Sequence, residues 1–193
     1  MKPRSGNQVS SSEVKEFHPN IEFHANTLAR SRYTFPILVL IVITGFDLLT
    51  KDVAVTFWKG TAGMPVIEQI ISFDYEESSE GIFQLGKDLP PEVKRPLYVS
   101  AGIIGFVFIC WLAFRLHVST TGMYGLVFVT AGAAGNIGYR IVRGYLISFI
   151  HLRTGAYDWP IFNLADLYLD IGLALMLIDV IYIRWKARES QKI

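Results

Sequence analysis

"GAAGNIGYRIVRGYLISFIHL", Gly132–Leu152, decides how this chain is read. It leaves an apolar run, yet it holds four glycines, Asn136, Arg140, Arg143 and His151, and no carboxylate. Small residues recur just ahead of the polar cluster, at Gly125 and from Gly132 to Gly135, a pattern that lets another helix approach closely. Asn136 and Arg140, four residues apart on a helix, point the same way. Packing explains the glycines. It leaves the asparagine and the arginines to be answered by acids from elsewhere in the chain.

Outward from this stretch, four segments are long and apolar enough, or nearly so, to cross a bilayer. A span takes roughly 20 residues of helix and about 17 at the least. The segments are Tyr33–Leu49, Leu97–Phe114, Gly122–Ile137 and Phe162–Ile183, the third running on through Asn136. With 51% hydrophobic residues and a mean hydropathy of +0.35 over 193 residues, the composition predicts an all-α integral membrane fold. It has four transmembrane helices and a small β-containing surface segment between helices 1 and 2. The domain plan is a polar, disordered cytoplasmic tail over 1–32 and a four-helix membrane domain over 33–185. That domain has an extracytoplasmic segment at about 51–96, and a basic cytoplasmic tail over 186–193 follows it. The first helix lies behind a polar tail and ends in Asp47 and Lys51 with no small-residue cleavage pattern, so it reads as retained rather than as a signal peptide.

Lys and Arg set the orientation. The tail before the first helix carries five, the link after the second carries Arg115, and "RWKARESQKI" carries four against Glu189. The segment from Lys51 to Arg95 has five basic residues among eight acids. Both termini therefore read as cytoplasmic. Arg140, Arg143 and Arg153 then fall on the outer side, against the topological rule, and are expected to do structural or binding work. In the outer segment, "AVTFWKG", "MPVIEQIISFDYEES" and "EGIFQLG" suggest short strands, and "LPPEVKRP" an extended lead-in to the second helix.

Several function classes drop out. A net charge of +1 without a basic cluster gives no footing for nucleic acid. Cys110 is the single cysteine, His151 stands alone and reads as interfacial, and there is no metal-ligand spacing, phosphate loop or Ser-His-Asp set. No metal or cofactor is expected. The remaining signal is ionisable residues at membrane depth, each costing about 2.5–3.5 kcal/mol on insertion scales. Asp47 and Lys51, at i and i+4, can pair at the outer end of the first helix. The fourth helix opens "FNLADLYLD", in which Asn163 can cap while Asp166 and Asp170 share a face. Asp179 lies on roughly the opposite side, toward Arg184, and reads as structural. Arg140 or Arg143 is the expected counterpart of Asp166.

This set resembles lipoprotein signal peptidase (signal peptidase II), over about residues 36 to 185. The family's first helix ends D-x-x-x-K, matched by "DLLTK" at Asp47 and Lys51. Its third ends G-x-x-G-N-x-x-D-R, followed by G-x-V-x-D-F, where "GAAGNIGYR" and "GYLISF" stand at the same spacing. Its fourth opens F-N-x-A-D, matched by "FNLAD" at Phe162–Asp166, and its N-x-G motif corresponds to "SEG" at Ser79–Gly81.

The resemblance implies an outer-leaflet site in which two aspartates activate water to cleave the peptide bond before the lipid-modified cysteine of a prolipoprotein. Two close carboxylates divide the labour because both cannot ionise. Asp166 is one of the pair. Ser148 stands at the position of the other, Tyr139 replaces the Asp before the family's Arg, and Ser79 replaces its Asn. Asn136, Arg140, Asn163, Asp47 and Lys51 remain as the frame for substrate or lipid, with Ser79 at the position of a further substrate or lipid contact. The leading reading is a family member that keeps fold and pocket without ordinary dyad catalysis, binding lipoprotein, a signal-peptide helix or membrane lipid. The alternatives are an active peptidase with a rearranged dyad, using Asp170 or Asp47, and a small proton- or ion-handling protein built on the same acids. The sequence does not fix an oligomeric state.

Overall fold

The computed structural model describes residues 19–78, 88–116 and 118–190, with side chains from 34 onward except at 91. In chain order the elements are α1 (Pro19–Phe57), β1 (Met64–Ile67), β2 (Ile71–Ser78), α2 (Pro91–Leu116), α3 (Thr120–Arg143), β3 (Leu146–Thr154), β4 (Tyr157–Asp158) and α4 (Leu164–Ser190). Residues 36–193 form one compact unit. The helix α1 begins at Pro19, inside the stretch that composition reads as tail. Ser79 and the "EGIFQLG" segment lie outside the described residues.

Two helices, α2 and α3, are long and apolar enough to cross a membrane among the described residues. Along α1 from Phe35 on, and along α2 and α4, large apolar side chains face outward, among them Ile41, Phe46, Ile104, Phe108, Leu177 and Ile181. Exposure of that extent marks a surface built for an apolar surrounding rather than for water. Two start signals differ from expectation. "AVTF" continues α1 to Phe57 instead of forming a strand. The Pro-rich lead-in is helical from Pro91 on, because Pro91 occupies the first turn, where its missing N–H has no intrahelical partner to lose.

The sheet is the larger departure. Its order is β1-β2-β3-β4, antiparallel throughout, so half its strands come from between α3 and α4 rather than from the segment after α1. The second half of the opening stretch, Leu146 onward, is therefore a strand. It is rich in β-branched and aromatic residues, and its first four positions are buried. Trp58, just after α1, stacks on Phe73 with ring centroids 4.5 Å apart and tilts against Phe149 at 5.6 Å, fixing the sheet to the end of α1.

α3 and α4 meet through glycine. A Cβ at Gly172 would stand 2.7 Å from the carbonyl oxygen of Gly125, and one at Gly125 would stand 2.9 Å from that of Gly172, so the two backbones touch. At the other end of this pair, Asp179, 1% exposed, accepts from the backbone N–H of Ser119 at 3.0 Å and from its hydroxyl. Asp179 is structural, but it caps α3 instead of reaching Arg184.

Candidate functional site

The first turn of α4 is a reciprocal cap. Asn163 Oδ1 accepts from the N–H of Asp166 at 3.1 Å, and Asp166 Oδ2 accepts from the N–H of Asn163 at 3.1 Å. Each side chain satisfies a helix-terminal N–H that would otherwise lack a partner. Asn163 is fully buried, and its Nδ2 donates to the carbonyl of Ile147 at 3.1 Å, which fastens the start of α4 to β3.

From this turn a hydrogen-bonded ring closes through three helices. Asn136 Nδ2 on α3 donates to Asp166 Oδ1 at 2.7 Å, and Asn136 Oδ1 accepts from Lys51 Nζ at 2.9 Å. Lys51 also donates to Asp47 Oδ2 at 2.7 Å, and Asp47 Oδ1 accepts from the N–H of Ala165 at 2.9 Å, beside Asp166. Asp47 and Lys51 are both 0% exposed. The ring needs Gly135, because a Cβ there would collide with the Asp47 carboxylate. Asp166 and Asn136 are the half-buried members, so the ring opens outward at the Asp166 carboxylate.

The arginines divide. The Arg140 guanidinium lies 5.2 Å from the centre of the Tyr98 ring and within electrostatic reach of Asp166. Arg143 instead faces Asp52 at 3.7 Å, with both side chains exposed. Two formal negative charges, Asp47 and Asp166, thus stand with Lys51 and Arg140. The i, i+4 spacing signals the Asp47–Lys51 contact. Nothing in the sequence signals that Lys51 bridges to Asn136, 85 residues away.

Ser148 is buried in β3, directly opposite Glu76 of β2. The residues around it are tied to the lead-in of α4, with the N–H groups of Phe149 and Ile150 donating to the Phe162 carbonyl at 3.0 and 2.8 Å. Tyr139, 5% exposed, lays its ring 5.5 Å from Lys51 Nζ, and its hydroxyl has no hydrogen-bond partner among the described residues. Asp170, read as the substitute acid, is exposed, and its side chain makes no hydrogen bond or ion pair among the described residues. Ser79 lies outside them.

A second polar cluster sits away from this ring. His151, read as a lone interfacial histidine, is 7% exposed and held between Asp74 (Nδ1 to Oδ2, 2.6 Å) and Asp158 (Nε2 to Oδ1, 2.5 Å). Arg153 donates to Asp74 at 2.9 Å. These contacts join β2, β3 and β4, and they give Arg153 a structural role.

Chemically, the ring presents one carboxylate whose two oxygens are aimed by an amide and a backbone N–H. Such a group can hold a water or a polar headgroup. It cannot by itself divide general acid from general base.

The family model for Signal peptidase (SPase) II matches residues 39–182. The lipoprotein signal peptidase of Desulforapulum autotrophicum is 30% identical over 146 residues, covering 75% of this chain and 90% of its own. That of Caldicellulosiruptor bescii is 31% identical, covering 71% and 85%. That of Aquifex aeolicus is 31% identical, covering 70% and 79%. Among solved structures, a bacterial membrane enzyme determined by the in meso method shares the fold, with a TM-score of 0.66 over 77% of this chain and 88% of its own at 24% identity.

Proposed function

The chain belongs to the signal peptidase II family, and from that premise we propose that it is an altered member. Its outer-leaflet pocket, centred on Asp166, engages the lipid-modified segment of a lipoprotein precursor together with its signal-peptide helix. The observation that carries the reading is the buried ring Asp47–Lys51–Asn136–Asp166, which opens at a single carboxylate. At the neighbouring position, where the family's second aspartate belongs, this chain has Ser148.

The surroundings support the same reading. Large apolar side chains face outward along α1 from Phe35 on and along α2 and α4, as expected of a four-span protein in a bacterial inner membrane with both termini cytoplasmic. A buried ion pair at the outer end of α1 then fixes the pocket wall at membrane depth without presenting an unpaired charge to lipid. Ser148 can hold a water or a headgroup oxygen, but with no useful acid–base equilibrium near neutrality it cannot replace an aspartate in a shared-proton pair.

The test is binding in nanodiscs of a fluorescent precursor peptide carrying a diacylglyceryl cysteine. Saturable binding is expected, weakened at least about tenfold, or about 1.4 kcal/mol, by Asn136→Ala, which removes the amide that aims Asp166. Equal binding of the same peptide without its lipid would overturn the reading.

A further inference from the structure

β2 brings a carboxylate to the position that Ser148 leaves without one. In the antiparallel register Glu76 is the direct partner of Ser148, so the two side chains share a face. Directly opposed residues hold their Cβ atoms about 4.5–5.5 Å apart. A glutamate there can extend past the shorter serine side chain.

The register is specific about which residue arrives. Phe73 pairs with Ile150, and an unbroken ladder would bring Tyr75 opposite Ser148. A β-bulge between Phe73 and Glu76 inserts one residue and places Glu76 there instead. Bulges re-aim side chains in this way and are frequent beside active sites. The neighbouring acids of β2 are committed elsewhere. Asp74 takes bonds from His151, Arg153 and Ser72, and Glu77 takes them from Lys59 at 2.7 Å and Tyr75 at 2.6 Å. Glu76 is exposed, and its side chain makes no hydrogen bond or ion pair among the described residues. Ser148 itself is held beside the turn that carries Asp166, through the bonds of Ile147, Phe149 and Ile150 to residues 162 and 163.

We propose, resting on the function proposed above, that Glu76 is the second acid of a rearranged pair with Asp166, and that the bound precursor is hydrolysed between them. The two carboxyls share one proton. The ionised one takes a proton from water as the water oxygen bonds to the scissile carbonyl carbon. The neutral one gives its proton to the amide nitrogen as the C–N bond breaks. A carboxylic acid and an amine leave, and the pair still holds one proton. The Ser148 hydroxyl, on the same face of the sheet as Glu76, can orient the water.

The experiment is cleavage of the diacylglyceryl-modified precursor by the full-length protein in nanodiscs, with binding of the same peptide measured in parallel. Wild type is expected to cleave, and Glu76→Gln to lose about 10²–10⁴-fold in kcat with binding kept, the range of a general acid–base group. Glu77→Gln, which removes a neighbouring charge of the same strand, is expected to retain the wild-type rate. Adding Ser148→Asp to Glu76→Gln should restore cleavage, which separates a lost acid from a misfolded strand. Glu76→Gln cleaving at the wild-type rate, or wild type binding without cleaving, would overturn the proposal and leave the binding function standing. Absence of lipid-dependent binding would remove both.

Discussion

Replacing Lys51 by methionine removes the centre of the buried ring while keeping the length of the side chain. Its ammonium is fully buried and donates to Asp47 at 2.7 Å and to Asn136 at 2.9 Å. Without it, Asp47 keeps the N–H of Ala165 but holds an uncompensated charge, and Asn136 Oδ1 loses its donor. Breaking a buried pair from one side costs about 3–5 kcal/mol. For a chain of this size each kcal/mol moves the midpoint by about 2–4 °C, so Tm should fall by roughly 6–20 °C. Thermal unfolding in detergent, followed by the fluorescence of Trp58, Trp111, Trp159 and Trp185, measures this. The cause is separable from mere loss of packing. Asp47→Asn combined with Lys51→Met removes both charges and should be more stable than Lys51→Met alone, because a neutral buried pair carries no stranded charge. A loss under about 1 kcal/mol, as for an exposed pair, or a double variant less stable than the single one, would refute the reasoning.

The same unfolding assay checks three further expectations. Gly172→Val forces a Cβ to within 2.7 Å of the Gly125 carbonyl oxygen, and should cost about 1–3 kcal/mol or more as α3 and α4 are pushed apart. Asp179→Ala leaves the N-terminal turn of α3 without its acceptor for the Ser119 N–H and should cost about 0.5–2 kcal/mol, as for lost caps generally. At Asp74, burial pushes the carboxyl up, but bonds from His151 and Ser72 and the charge of Arg153 outweigh it and hold the group below its ordinary value. Its contribution is therefore complete above the unfolded value of about 3.9 and is lost as pH falls through the lower folded one. Stability of wild type should show a step below about pH 4 that Asp74→Asn lacks.

The parts of this structure visible in the sequence are those set by local spacing. Asp47 and Lys51 lie one helical turn apart and do meet, and Asn163 followed by Asp166 three residues later forms the α4 cap. The glycines of α3 announce a close helix, and α4 is that helix. What spacing does not carry is pairing at a distance. Gly144, in the left-handed conformation, ends α3, but only the partnership of "LISFIHLRT" with β2, 68 to 81 residues earlier, makes it a strand. For the same reason Asp179 finds Ser119 rather than the nearer Arg184, Arg143 finds Asp52 rather than Asp166, and the partner of Ser148 is an acid of β2. A β-bulge that shifts the register by one residue decides that last pairing, and no local pattern in "ISFDYEES" announces it.

The central claim is that Ser148 and Asp166 flank the place where the precursor's scissile bond comes to rest. Ser148→Asp tests it most directly, with hydrolysis of a diacylglyceryl-modified precursor as the readout. The account predicts that Ser148→Asp cleaves the precursor and that adding Asp166→Asn abolishes the reaction, since the two carboxyls would then face each other across the bound segment. A Ser148→Asp protein that binds the precursor and leaves it intact, or one whose cleavage survives Asp166→Asn, would contradict it.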